Sequence, residues 1–433
     1  MTLPDGLLGA MVGSESLGLT DTIVNGAGGC RSRAQILLHD LIPGYETEDP
    51  SVCGCKFFSR QSRLPSTYLN NEDIVFGTGP KVCAGVESVA RVSGRRAVFL
   101  DTLGASLVCT DYSGLSGTAG ADPVMVGGDL SSMSFCEGYD AAVEEVIGSM
   151  ELDSGCDGSV NLLGYGIQDP GWEEGATELR RILESMGIRV NAVLGCRPSV
   201  EDVRSCGRAA LNVMVRPEYC RRTAESLARR IGAATLRPSA GAPVGYAATR
   251  SFAVEVADAL GVDPSPALDL IDRDERRVRA VLMNYDRMPI GLHAKGVVIR
   301  CESSTAYPLL RWMHGVFGMA PRLVECPDAE YMPEIASYLR EWGIEEALDG
   351  TGGEAELVFT DGLSAMEGNM DGGVTGFVEV CMPRGRQMDL LGRCLVGPRG
   401  CRYILDETFN SIRRFRCGQP TEVDYRPNYP CSD

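Results

Sequence analysis

Residues 160–195 read VNLLGYGIQDPGWEEGATELRRILESMGIRVNAVLG, and this stretch decides the fold. Val160–Gly166 is an apolar run of strand length that ends on glycines. From Trp172 to Met186, the apolar side chains Leu179, Ile182, Leu183 and Met186 fall on one helical face, opposite a charged one. A second apolar run, Val190–Leu194, follows. Strand, helix and strand in this order form a βαβ unit, and its crossover helix predicts parallel strands.

Working outward, the same alternation recurs. Ser199 with Asp202 three residues on reads as a helix start, Ala210–Val215 as a strand and Arg221–Ile231 as a helix. Beyond Lys295 come strand Gly296–Cys301, helix Tyr307–Phe317, strand Arg322–Val324, helix Tyr331–Trp342 and strand Ala355–Thr360. Ahead of the central unit lie strand Thr22–Val24, helix Arg31–Leu41, strand Asp73–Phe76, helix Val82–Val92, strand Ala97–Leu100 and helix Glu137–Met150. The sum is an α/β protein of three doubly wound, Rossmann-like αβα domains with mostly parallel sheets. Boundaries are expected at 1–155, 156–290 and 291–433, with a Pro-rich tail over Arg416–Asp433. A length of 433 residues also exceeds what one hydrophobic core supports. Glycines gather where strands should end, at Gly26/Gly28/Gly29, Gly77/Gly79, Gly127/Gly128, Gly164/Gly166 and Gly372/Gly373. Open α/β sheets bind ligands at those ends.

Composition narrows the chemistry. With 41 Lys+Arg against 59 Asp+Glu the formal net charge is −18, which argues against a nucleic-acid or anionic-membrane surface. The N-terminus MTLPDGLLGAMVGSESLG has no basic leader region, and no apolar run is long enough to span a membrane, so a cytoplasmic protein is expected. The motifs GxxxxGK[ST], GxGxxG, HExxH and GxSxG are all incomplete or missing. The three histidines, His39, His293 and His314, lie far apart and read as structural or surface residues.

Against 3 His stand 17 Cys, so any metal site would be thiolate-rich and suited to iron–sulfur or zinc. No CxxC pair supports zinc. Cys30 closes a glycine turn between a strand and a helix, where helix N–H groups favour a thiolate. Cys53 and Cys55 form a CxC beside Lys56, Arg60 and Arg63. Cys109 follows the strand Ala97–Leu100, and Cys136 opens a helix. The other twelve cysteines read as small buried hydrophobes. Asp101, Asp111 and Glu137 lie near these cysteines in sequence and read as solvated loop carboxylates.

Three landmarks then carry a family resemblance. Asn25-Gly26-Ala27-Gly28-Gly29-Cys30 resembles a His-Gly-Pro-x-Gly-Cys turn. Asn71–Gly77 with Lys81 is similar to an Asp-Ile-Val-Phe-Gly segment, and Cys136-Glu137-Gly138-Tyr139 to a Cys-Glu-Gly-Phe segment. Val160–Gly195, Gly296–Gly318 and Gly397–Asn410 add weaker likenesses. All belong to the nitrogenase component 1 superfamily, which spans nitrogenase subunits, their cofactor-assembly scaffolds, the dark protochlorophyllide and chlorophyllide reductases and the F430-biosynthesis reductase.

The resemblance implies an oxidoreductase subunit that holds an iron–sulfur cluster, of 4Fe–4S type, and takes electrons from an ATP-dependent iron–sulfur reductase. It implies Cys30, Cys55 and Cys109 as metal ligands with Cys53 beside them, and a homodimer or paired heterotetramer. Departures are clear. Asn25 and Ala27 replace His and Pro, an extra loop covers roughly Pro43–Cys55, and the third cluster cysteine falls at Thr102 or Leu103 unless Cys109 replaces it. The nitrogenase cofactor's Cys and His have no counterpart, so dinitrogen reduction is not expected. Two alternatives are a non-catalytic scaffold for metallocofactor assembly and a metal-free α/β binding protein.

Overall fold

Apolar strands joined by amphipathic helices are stable as parallel sheets covered on both faces, and the computed structural model contains three of them. It describes residues 5–42, 64–108, 112, 123–285, 291–350, 354–365, 376–385 and 390–418. The first sheet sets β1 (Asp21–Asn25), β2 (Ala97–Asp101) and β3 (Val124–Met125) side by side. The second runs in the order β5-β4-β6-β7, with β4 Ser159–Gly166, β5 Val190–Gly195, β6 Ala209–Met214 and β7 Ala234–Leu236. The third runs β11-β10-β8-β9, with β8 Gly296–Arg300, β9 Ala320–Glu325, β10 Leu357–Asp361 and β11 Gly376–Cys381. Every strand pair is parallel.

These orders locate the crevices. From β4 the chain moves to β5 on one side and then returns to β6 on the other, so the β4/β6 edge is a switch point. The same holds at β8 and β10. Ligand-binding crevices in open α/β sheets lie at the carboxyl ends of such strands.

The helices labelled here are α1 (Gly6–Leu17), α2 (Gly28–Leu41), α3 (Asn71–Phe76), α4 (Gly79–Ser93), α5 (Phe135–Gly148), α6 (Trp172–Ser185), α7 (Arg221–Ile231), α8 (Tyr246–Leu260), α9 (Ser265–Tyr285), α10 (Ser303–Gly315) and α11 (Gly397–Gly418). Helix α7 matches its sequence reading at both ends. Asp73–Phe76, however, is part of a helix and not a strand. Asn70 accepts from the Asp73 backbone while the Asp73 carboxylate accepts from the Asn70 N–H, a reciprocal cap that starts α3. Its apolar residues therefore face water, and Phe76 is 85 % exposed. Helix α2 starts at Gly28 and not at Arg31, which puts Cys30 inside its first turn. Helices α1, α8 and α9 and strands β3, β7 and β11 have no counterpart among the elements read from the sequence. Within the described residues, no helix is long and apolar enough to cross a membrane.

Candidate functional site

The turn that carries Cys30 is built from the end of β1. Asn25 is fully buried. Its amide nitrogen donates to Asp101 Oδ1 at 2.8 Å and to the Tyr112 hydroxyl at 3.0 Å, and its amide oxygen accepts from Thr67 Oγ1 at 2.9 Å. Asn25, at a position where the family's turn has His, thus ties β1 to β2 and to the 66–70 segment. Asp101, read as a solvated carboxylate, is instead held between Asn25 and Tyr112, which donates to it at 2.6 Å. Thr102 closes the other side, its hydroxyl donating to the Asn25 carbonyl at 2.9 Å. Gly26 has no room for a side chain, since a Cβ there would meet Thr102 Oγ1 at 2.5 Å. Among the described residues nothing lies within 4 Å of where a Gly29 Cβ would sit.

Cys30 follows this turn at the third residue of α2 and is half-buried. Among the described residues the helix has no side-chain cap at its N-terminus, and the Cys30 N–H donates to the Ala27 carbonyl at 3.1 Å. Both segments that abut the turn carry apolar side chains in water: Tyr68, Ile74, Val75 and Phe76 on one, Leu103 and Leu107 on the other. Cys53, Cys55, Cys109 and Asp111 lie outside the described residues. Among the described residues, no three His, Cys, Asp or Glu side chains are grouped to hold a metal. The one thiol placed here among the described residues, half-buried in the first turn of α2, has the donor chemistry an iron–sulfur cluster requires.

Cys136 sits elsewhere. It is buried at the start of α5, and burial together with Glu218, Glu302 and Asp328 pushes its thiol far up. Glu137 caps that helix with Ser134, whose N–H and hydroxyl hold its carboxyl below the usual range. Cys206, Cys220, Cys301, Cys381, Cys394 and Cys401 are buried as expected, whereas Cys83, Cys196 and Cys326 are half-buried and Cys156 is exposed. His314 is structural: its Nδ1 lies 2.8 Å from the Tyr338 hydroxyl and its ring packs edge-on against Trp342.

Sequence reading did not find a buried charged cluster among the described residues. Asp169 follows β4, Arg216 follows β6 and Glu302 follows β8, so the two switch points face one another. Arg216 Nε lies 2.5 Å from Asp169 Oδ1, and Arg216 Nη1 lies 3.4 Å from Glu302 Oε2 and 3.9 Å from Glu218 Oε1. Tyr219 donates to Glu302 Oε1 at 2.7 Å, and Ser304 to Glu218 Oε1 at 2.6 Å. The signal in the sequence was a charged pair, Arg216 and Glu218, directly after an apolar strand.

Burial pushes the Asp169 carboxyl from 3.8 up to about 7 in spite of Arg216. The folded chain then binds more protons than the unfolded chain between those two values, so stability falls as pH rises through that window. Burial raises Glu218 and Asp140 in the same sense. The expected outcome is a higher melting temperature at pH 5 than at pH 8, with Asp169→Asn flattening the difference. Thermal scans at both pH values measure it, and equal slopes for the two proteins would contradict this assignment.

Residues 8–413 match the family model for nitrogenase component 1 type oxidoreductases. The chain belongs to that family. One subunit of the light-independent protochlorophyllide reductase of Halorhodospira halophila is 35 % identical over 174 residues, covering 37 % of this chain and 32 % of that protein. The corresponding reductase subunit of Jannaschia sp. is 29 % identical over 317 residues, covering 71 % of this chain and 59 % of that protein. The matches therefore span less than two thirds of these relatives' length. In three dimensions the chain is similar to nitrogenase Cp1 at pH 6.5, with a TM-score of 0.75 and 17 % identity over 96 % of this chain and 93 % of that one, a likeness of fold.

Proposed function

We propose that the chain is the catalytic subunit of a nitrogenase-like reductase. In this reading Cys30, with Cys53, Cys55 and Cys109, holds an iron–sulfur cluster of 4Fe–4S type. Electrons arrive from a separate ATP-dependent iron–sulfur reductase, in keeping with the missing phosphate-binding loop in this sequence. The observation that carries the reading is the family match over residues 8–413, with Cys30 at the uncapped start of α2. A bound cluster supplies one-electron transfer. The chain's part is to place the Cys30 sulfur in the first turn of α2 and to set the turn through Asn25 and Thr102.

The exposed apolar residues around the turn favour a second subunit over that face, as a homodimer or paired heterotetramer in the cytoplasm. The protochlorophyllide reductase relatives favour a tetrapyrrole double bond as the substrate, not dinitrogen. The test is turnover with reductant, ATP and the cognate reductase. Cys30→Ala is expected to lower it by at least the roughly 10–100-fold typical of a weakened metal site, with unchanged circular dichroism. Wild-type protein that carries iron and sulfide but turns over no substrate points to an assembly scaffold instead.

A further inference from the structure

Three carboxylates at the junction of the second and third sheets share one guanidinium. The side chains of Arg216, Asp169, Glu218 and Glu302 are between 1 % and 11 % exposed. If all three acids ionised, two negative charges would stay uncompensated in a site that water reaches only at its edge, beside Glu302. Taking up a proton is the less costly response of such a cluster. Glu218 Oε2 is buried and has no hydrogen-bond partner, and the same is true of Gln168 Oε1 and the Tyr165 hydroxyl at the end of β4.

We infer that this cluster is a proton-binding site that supplies the reductive step, with Glu218 as the residue that carries the proton. The inference rests on the reductase reading. Asp169 Oδ1 and Arg216 Nε also lack a hydrogen-bond partner, but Asp169 and Glu302 take the two nearer guanidinium contacts, whereas Glu218 is the farthest from Arg216. Asp328 faces it from the end of β9, where it accepts from the Ser303 N–H and hydroxyl. Burial and Asp328 both push the Glu218 carboxyl well up.

Asp140, Arg221 and Glu330 face the junction at Cys220, and Asp361 faces it at Cys381; the thiols and phenols there stay neutral. They are Cys136 and Tyr139 from α5, Tyr165 and Cys196 from the ends of β4 and β5, Tyr219 and Cys220 after β6, Cys301 and Cys326 after β8 and β9, and Cys381 on β11. Tyr331 faces it beneath Arg237. Burial raises all of these thiols and phenols. Arg216 is therefore the charge that receives the carboxylate left behind.

Reduction of one carbon–carbon double bond takes two electrons and two protons and forms two C–H bonds. In this scheme the electrons come from the iron–sulfur reductase, one proton from Glu218 and the second from solvent. Solvent then reprotonates Glu218.

Infrared spectra of the whole chain at pH 7, taken without substrate, test the proton directly. Wild type is expected to show a protonated-carboxyl stretch from which Glu218→Gln removes the Glu218 component, leaving the weaker part that belongs to Asp169. In turnover assays the same variant is expected to move the alkaline limb of the kcat profile to lower pH, with KM changed less than about twofold. Wild type without the band, or Glu218→Gln with the full band, overturns the site. Loss of the Glu218 component with an unmoved pH profile overturns the supply of protons. Should Glu218→Gln not fold, Asp169→Asn is expected to lose the band at lower pH than wild type, and an unshifted band overturns the site. If wild type shows no turnover at all, the reductase reading fails and proton supply with it, while the infrared band alone decides the proton-binding site.

Discussion

Arg216→Met is expected to destabilise the protein by about 3–5 kcal/mol, the range for removing one partner of a buried ion pair. The guanidinium is fully enclosed, and it holds Asp169 after β4, Glu302 after β8 and the more distant Glu218. Methionine fills much of its volume but leaves three acids facing one another across the second and third sheets. The only relief is protonation. The loss should therefore be smaller at pH 5, where the acids neutralise readily, than at pH 8. Arg216→Lys keeps the charge but not the forked reach to two carboxylates, and should fall between. Unfolding midpoints in denaturant at both pH values measure all three proteins. A methionine variant as stable as wild type at pH 8 would mean that the cluster is not held by this charge.

Gly138→Ala is the second large effect, and it acts through packing. Helices α1 and α5 cross with their backbones in contact. A Cβ at Gly138 would lie 1.9 Å from the Gly6 carbonyl oxygen, and one at Gly9 would lie 1.9 Å from that of Phe135. Neither obstacle is a flexible side chain, so the helices must separate. We expect a loss at or above the upper end of the roughly 1–3 kcal/mol seen for overpacked cores. The shift would also reach the charged junction. Tyr139, next in α5, donates to Ser16 of α1 at 3.0 Å, and its ring packs edge-on against Tyr219 at 5.2 Å. Gly148→Ala is the control, because its Cβ meets nothing and alanine suits a helix better. Thermal unfolding should separate the two by several degrees, and equal melting temperatures would contradict the tight crossing.

Much of this architecture was legible in local pattern. β4, α6, β5 and α7 stood out because each buries one face or the whole strand, and burial writes its period into the residues. Asp73–Phe76 misled because Ile74, Val75 and Phe76 resemble a strand, although Asn70 and Asp73 already held the spacing of a helix cap. Helix α1 was hidden for a different reason. It is buried on nearly all sides, so it has no polar face to mark a helical period, and its glycines serve a neighbour more than one hundred residues away. The Cys30 turn was readable from glycines between a strand and a helix, whereas the role of Asn25 depended on Asp101 and Thr67. The Arg216 cluster was out of reach, since Arg216 and Glu302 are 86 residues apart. Only the facing of two sheets brings them together.

Iron and acid-labile sulfide analysis tests the cluster at Cys30 most directly, on wild type and Cys30→Ala purified anaerobically from cells with intact cluster-assembly machinery. Wild type is expected to hold iron and sulfide in equal amounts, and the variant to show a clear loss of both. Iron-free wild type, or a variant with undiminished iron and sulfide, would contradict a cluster held by this thiol.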